Sequence, residues 1–433
     1  MKDAFIVQDQ NGTSLRKQEI LRPLANFTPN LWGDLFLHYT SLDSATQNQK
    51  EQEISELKEE VRRHLTNVKD PKENLLLINA IQRLGVAYCF GEEIEAILQH
   101  FHSYDDAFYK DDLEYVSLRF RLLRQHGFFL SCDLFHKFIN ENGSFKDSLK
   151  TDLQGMLSLY EASHVRIRGE KVLEEALDFT TTNLTSVVSN LSSDDPLGEQ
   201  VTHALDRPLY KCTNRLEAKF QIPLYELDAS HNQALLRLAK LDFNMLQLQY
   251  KKELSDLIRW SRSLDFTGKF PFSRDIVVET YIWALGVLFE PEYCYGRAIL
   301  VKLLKIMTVV NDIYDAYGTI QELEPFTQAI LRWDNHCINE VPDYMKLIYQ
   351  ILVDTFQDFE QDLANNGGKS YTIYDYLQKE LKISCQAYLE EARWCHKNYV
   401  PQYDEYMKNG MESSVYCFML MAAHLGMGET ATN

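Results

Sequence analysis

The sequence is poor in the features that turn-rich, secreted or membrane-spanning proteins need. Only 18 glycines and 11 prolines occur in 433 residues, which argues against disorder and against an all-β fold built on tight turns. The eight cysteines include no CxxC and no Cys/His spacing suited to zinc, so free thiols in a reducing compartment are expected. No run of about 18 uncharged apolar residues is present, so no membrane-spanning helix is expected. The N-terminal MKDAFIVQDQNGTSLRKQEI lacks the apolar core of a signal peptide and the Ser/Arg-rich character of a transit peptide, and the expected location is the cytoplasm. Basic residues are outnumbered 44 to 63, for a net charge of −19. With no Lys/Arg cluster interleaved with aromatics, nucleic acid is not an expected partner. There is no phosphate-binding GxxxxGK[ST], no GxGxxG after a strand, no HExxH and no GxSxG. No fixed period of about 34–45 residues supports a helical-repeat scaffold.

What is present is helical. Apolar residues make up 45% of the chain, enough to bury a sizeable core. Ile54, Leu57, Val61, Leu65 and Val68 recur at steps of three and four with charged residues between them, one apolar stripe on an amphipathic helix. Similar patterns predict helices near 74–84, 92–101, 148–162, 170–179, 232–260, 276–290, 297–311, 342–364 and 373–398. Polar and helix-breaking residues cluster at 140–147, 189–199 and 364–370. Asp194-Asp195-Pro196 reads as a helix start, a capping acid before proline. FQIPLYELDASHNQ (220–233) reads as the hinge between two all-α domains, 1–225 and 226–433.

One stretch carries chemistry. In GRAILVKLLKIMTVVNDIYDAYGT (296–319) a mostly apolar helix, with Lys302 and Lys305 as its interior charges, ends on Asn311, Asp312 and Asp315. Positions 311 and 315 share a face, and 312 lies about 100° round the helix. Carboxylates at a helix C-terminus oppose the macrodipole by roughly 0.3–1 kcal/mol each. A hard divalent cation held by oxygen ligands offsets that cost. A solvated helix end with ordinary surface acids is the alternative that spacing alone leaves open.

NDIYDAYGTIQELEPFTQAILRWD (311–334) resembles the aspartate-rich metal motif of plant class I terpene synthases. RPLANFTPNLWGD (22–34) resembles the opening of their cytosolic sesquiterpene members. LSLYEASHVRIRGEKVLEEALDFT (157–180), LLRLAKLDFNMLQLQYKKELSDLIRW (235–260) and SRDIVVETYIWALGVLFEPEY (273–293) resemble further family segments in the same order. The resemblance implies an N-terminal helical domain with a capping arm and a C-terminal metal-binding catalytic bundle. It implies a small-molecule partner, a prenyl diphosphate, gripped through three Mg2+ ions for which Mn2+ can substitute. Farnesyl diphosphate would be ionised and cyclised to a sesquiterpene with release of diphosphate, in a pocket that excludes water. Geranyl diphosphate is the alternative substrate. A monomer is expected if the fold is complete.

Carried over by position, Asn311 stands at the first motif acid, Asp312 at the second and Asp315 at the last, giving metal ligands of which Asp312 and Asp315 are also catalytic. Arg274 begins the arginine motif that holds the departing diphosphate. Trp283 stands where an aromatic face lines the pocket, with a plain core tryptophan as its alternative. Arg22 belongs to the capping arm, with an ordinary surface arginine as its alternative. Three departures imply impaired or lost activity. Asn311 is neutral where a carboxylate is usual, Ile276 replaces the second arginine of the R-D-R pattern, and the second metal motif is missing after YCFMLMAAHLGMGETATN (416–433). The missing helices would leave apolar faces near 235–260 and 373–398 uncovered. An inactive relative or a truncated fragment is therefore the competing expectation.

Overall fold

Aspartates start many of the helices. In the computed structural model, which describes Arg22 and residues 25–39, 42–103, 109–189, 195–333, 337–365 and 371–428, Asp43, Asp70, Asp112, Asp152 and Asp195 each accept a backbone N–H at the first turn of a helix. Each satisfies a donor that the helix itself cannot, and places negative charge at the positive end of the dipole. The expected start at Asp195-Pro196 is of this kind, with its Asp194 outside the described residues.

Contacts divide the chain into two compact units. The first takes Thr40–Lys252 and Phe289–Pro291. It contains α1 (Ser44–Asn67), α2 (Pro71–Arg83), α3 (Gly91–Ser103), α4 (Leu113–Gln125), α5 (Leu153–Ser163), α6 (Lys171–Val188), α7 (Pro196–Asp206), α8 (Asn214–Leu227) and the start of α9 (Gln233–Ser263). Its core centres on α4, buried at Leu113, Tyr115, Val116, Leu118, Phe120, Leu122 and Leu123. Ser117 and Arg121, on the polar side of its three-and-four pattern, are buried as well. The expected hinge at 220–233 lies inside this unit, and the two units divide at Lys252–Glu253, within α9. Residues up to Leu227 finish α8, with Pro223 inside it, and the turn to α9 spans only 228–232. Pro223 forfeits one helical hydrogen bond, but Leu224 is buried beside it and the helix continues one more turn.

The second unit takes the described residues before Thr40, Glu253–Leu288 and the chain from Glu292. It contains the end of α9, the single turn α10 (Phe266–Lys269), α11 (Val277–Val287), α12 (Cys294–Ala316), α13 (Ile320–Arg332), α14 (Asp343–Asn365), α15 (Tyr371–Lys397), α16 (Tyr403–Ser413) and α17 (Tyr416–Met427). Helix α12 is the hub, packed by α11, α14, α15 and α17 and buried from Gly296 to Ala316 on nearly every side. Two cations lie inside it. Arg297, 0% exposed, donates from Nε and Nη2 to Glu253 at 2.8 Å each, and Lys305 donates to the Arg274 carbonyl at 2.8 Å.

Helices α12 and α17 cross at Gly296 and Gly426, where a Cβ on Gly426 would lie 2.2 Å from the Gly296 Cα. That neighbour is backbone and cannot swing aside. Gly426→Ala is therefore expected to cost at least the ~1–3 kcal/mol of an overpacked core, read as a lower midpoint in urea unfolding. An unchanged midpoint would show that the crossing is not tightly packed.

Among the described residues there are no strands beyond one isolated Ile139–Phe145 bridge, and no helix is long and apolar enough to cross a membrane. Most apolar residues of α9 are buried, including Leu238, Leu246, Leu254 and Leu257, and the rest, such as Phe243, Met245 and Trp260, are half-buried, so no exposed apolar face appears over 235–260. Exposed large apolar side chains occur on α11, at Ile282, Trp283 and Val287, along 400–416, at Val400, Tyr403, Tyr406, Met411 and Tyr416, and at scattered positions such as Leu31, Leu35 and Phe129. On 373–398 they are confined to Tyr376.

Candidate functional site

The last turn of α12 and the loop entering α11 build one hydrogen-bonded assembly. Asp312, 0% exposed, points inward. Its Oδ2 accepts from Ser273 Oγ and from the Arg274 backbone N–H, both at 2.8 Å, and its Oδ1 accepts from Arg274 Nε at 2.8 Å and Nη2 at 2.6 Å. Both carboxylate oxygens are thus committed to holding the 273–274 loop and orienting the guanidinium. Lys305 fixes the same loop from below, 3.6 Å from Asp275, and burial pushes its ammonium pKa below the usual lysine range. Asn30 and Trp32 reach the loop and α11 through hydrogen bonds to Asp275 (2.8 Å) and Glu279 (2.9 Å).

Asn311 joins Arg274 to Asp315. Its Oδ1 accepts from Arg274 Nη2 at 2.7 Å, and its Nδ2 donates to Asp315 Oδ2 at 2.9 Å. A carboxylate at 311 can do the first and not the second, because it has no donor. The amide therefore links a cation to an anion where an acid would face an acid. Asp315 points the other way from Asp312 and is exposed. The surrounding protein nevertheless desolvates it and raises its pKa above the usual carboxylate value, and the charges of Glu391 and Asp312 push in the same direction.

Asp315 opens on a cavity of about 510 Å³ that Arg22, Thr319, Glu391 and Cys395 also line. Glu391, on α15, accepts from Ser413 Oγ at 2.7 Å and Asn409 Nδ2 at 3.3 Å through one oxygen, Oε1. It is a functional candidate that the sequence alone does not single out, an ordinary acid on an ordinary amphipathic helix. Two carboxylates facing one cavity, one of them with a raised pKa, leave negative charge uncompensated. This all-oxygen set suits a hard cation such as Mg2+, which is commonly bound by one or two carboxylates plus substrate phosphates.

Arg22 is no free surface arginine. It makes a two-pronged ion pair with Glu322, 2.9 Å on each prong, donates to the Tyr317 carbonyl at 2.9 Å, and lies 4.3 Å over the Tyr317 ring. Glu322 also closes the capping box of α13 with Thr319. Burial works against the Glu322 charge, but the Arg22 and Thr319 hydrogen bonds outweigh it and hold its pKa below the usual range. Phe272 stacks on Tyr317 at 3.8 Å, which ties the floor of this pairing to the loop that carries Arg274. Trp283 lies apart from these groups as described, 49% exposed on α11. Ile276 is half-buried at the N-cap of α11 and makes no capping hydrogen bond.

Residues 31–205 match the terpene synthase N-terminal domain, and residues 262–433 match the metal binding domain of the terpene synthase family. A probable sesquiterpene synthase of Santalum murrayanum is 49% identical over 419 residues, covering 95% of this chain and 74% of that one. The chain belongs to the terpene synthase family. The valencene synthase of Vitis vinifera is 48% identical with the same coverage. Among solved terpene synthases, limonene synthase with 2-fluorolinalyl diphosphate superposes with a TM-score of 0.88 at 34% identity, covering 94% of this chain and 76% of that one. Isoprene synthase from grey poplar leaves, in complex with three Mg2+ ions and dimethylallyl-S-thiolodiphosphate, superposes with a TM-score of 0.81 at 38% identity, covering 92% and 74%. This terpene synthase thus carries the family's metal binding domain around the assembly just described.

Proposed function

We propose that the chain acts on farnesyl diphosphate in the manner of a sesquiterpene synthase, ionising it with divalent metal and cyclising the product cation, at a rate lowered by Asn311 and Ile276. The observation that carries this reading is the uncompensated carboxylate pair, Asp315 and Glu391, facing one cavity next to an arginine that Asp312 holds in place. The substrate class is supported by the sesquiterpene synthases among the relatives.

Asp315 and Glu391 would hold the metal, with Asn311 contributing its amide oxygen on giving up Arg274. Mg2+, or Mn2+ in its place, supplies neutralisation of diphosphate charge when bound, three ions being the number in the isoprene synthase complex. Asp312 is a positioning residue, since both its oxygens are spent on Ser273 and Arg274. Arg274 keeps 35% of its side chain in solvent and can donate to the departing diphosphate, a charge-assisted bond of the stronger kind. Without a second arginine at 276 that anion has one guanidinium instead of two. Trp283, Ile282 and Val287 offer one apolar face of α11 to an isoprenoid chain, and the indole quadrupole favours a developing cation over it. The catalytic work falls to the second unit, Glu253–Leu288 and the chain from Glu292, with Arg22 closing the cavity rim.

The test is incubation of the folded chain with farnesyl or geranyl diphosphate, with and without Mg2+. Products are read by gas chromatography–mass spectrometry and diphosphate by a coupled assay. Metal-dependent release from farnesyl diphosphate is expected, and Asn311→Asp should raise it by about tenfold or more, since a carboxylate beside a divalent ion binds far better than an amide. Release only from geranyl diphosphate would correct the substrate. No release from the folded chain, from Asn311→Asp or from Asn311→Asp/Ile276→Arg would favour a non-catalytic relative. That outcome has its own structural motive, because Asn311 is already committed to Arg274 and Asp315.

A further inference from the structure

The N-terminal unit holds a group of ligand-type side chains that plays no part in the chemistry above. Among the described residues, His203, Cys212 and Glu217 are the one trio of metal-ligating groups whose donor atoms all lie within 4.8 Å of one another. His203 ends α7, Glu217 stands in the first turn of α8, and Cys212 lies in the short link between them. The linear spacing resembles no zinc signature, and it is the α7–α8 reversal that brings the three together.

Two of the three, Glu217 and His203, are held in place by neighbours. Glu217 is buried, and its Oε1 is occupied by Arg83 Nη1 at 2.7 Å and Gln221 Nε2 at 3.0 Å. That leaves Oε2 turned to His203 Nε2 at 2.9 Å. The His203 ring lies flat on Phe220, centroids 3.7 Å apart and planes 9° from parallel. Outer contacts that fix the orientation of first ligands are a general feature of metal sites. Cys212 and Glu217 also form part of the wall of a cavity of about 790 Å³, so a fourth position would open onto it.

We propose that His203 Nε2, Cys212 Sγ and Glu217 Oε2 form a zinc site that clamps α7 to α8, with its fourth position open to this cavity. The nitrogen, sulfur and carboxylate set suits zinc and disfavours Mg2+. Thiolate and carboxylate together balance the charge of one Zn2+. Metal entry expels the Cys212 thiol proton to solvent, and the proton of neutral His203 moves from Nε2 to Nδ1, freeing the Nε2 lone pair for the metal.

The full chain, stripped with chelator, would be titrated with Zn2+ and with Co2+ as a spectroscopic probe. One zinc per chain is expected, together with a thiolate-to-cobalt charge-transfer band that Cys212→Ser abolishes and Cys395→Ser leaves intact. Gln221→Ala should weaken zinc affinity by about 10–100-fold. In the unmodified chain, Zn2+ and not Mg2+ should protect Cys212 from iodoacetamide, read by peptide mass spectrometry. A missing band, a band indifferent to Cys212→Ser, or a Cys212 alkylated equally with and without zinc would each overturn the proposal and leave a His–Glu hydrogen bond beside an ordinary thiol. None of these readouts depends on turnover of a prenyl diphosphate.

Discussion

Asp315→Asn is expected to weaken Mn2+ or Mg2+ binding at the cavity mouth by at least ~10²-fold, the upper end of what loss of a mere outer partner costs a metal site. Titration calorimetry or the Mn2+ spin-resonance signal would read it, and affinity within about twofold of the parent would remove Asp315 from the metal site. The raised pKa of Asp315 adds a pH signature. A proton competes with the metal for this oxygen, so affinity should fall with decreasing pH sooner than at a carboxylate of ordinary pKa near 4, and the asparagine variant should lose that dependence. Stability moves the other way. A carboxyl whose folded pKa is raised binds its proton more tightly in the native state, so its stabilising share is complete below the unfolded pKa and is lost as pH rises through the folded one. Near neutrality the charge is a cost, and Asp315→Asn should leave the metal-free protein at least as stable as its parent. Loss of metal without loss of fold separates a ligand from a structural residue.

Arg297→Ala is expected to destabilise the C-terminal unit by about 3–5 kcal/mol, the range for breaking a buried ion pair by removing one partner. The guanidinium is wholly buried, bonds Glu253 with two nitrogens, and donates to the Leu288 carbonyl at 3.0 Å. Alanine removes all of this and leaves a cavity the size of the largest fully buried side chain in the protein. Arg297→Lys should recover only part of the loss, because an ammonium cannot meet a carboxylate with two parallel donors. Urea unfolding monitored by circular dichroism would measure both. A cost for the alanine variant below ~1 kcal/mol would show that Glu253 finds water or another partner.

Much of this architecture can be read in one dimension. Helices that keep a wet side, such as α1 and α9, announce themselves through apolar steps of three and four. Helix α12 is read from its near-continuous apolar run. Helix α4 carries the same steps at Leu113, Val116, Phe120 and Leu123; what its sequence does not show is that its polar side, Ser117 and Arg121, is buried too. At the site, the 100° offset of Asp312 from the 311/315 face already separates a residue that turns inward from two that share an outward edge. What Asp312 turns towards is not legible, because Ser273 and Arg274 are nearly forty residues away and meet it only through the packing of α11 on α12. Glu391 and the aromatic bed of Arg22 are hidden for the same reason. Their chemistry is commonplace, and only position makes them part of the site. The identity of residue 311 is explained late too, once its two neighbours are seen to need an acceptor on one side and a donor on the other.

The pairing of Arg22 with Glu322 joins residues 300 positions apart. A ribosome adding roughly 5–20 residues per second delivers the arginine about 15–60 s before the glutamate that receives it. For that interval the arm has neither its carboxylate nor the Tyr317 and Tyr344 rings, while the helices between can already fold. The clasp is therefore unavailable to a nascent chain until α13 has emerged, with α14 to α17 still to follow. A protease that nicks the arm during synthesis would release a molecule whose two units are largely built and whose cavity rim has lost its arginine.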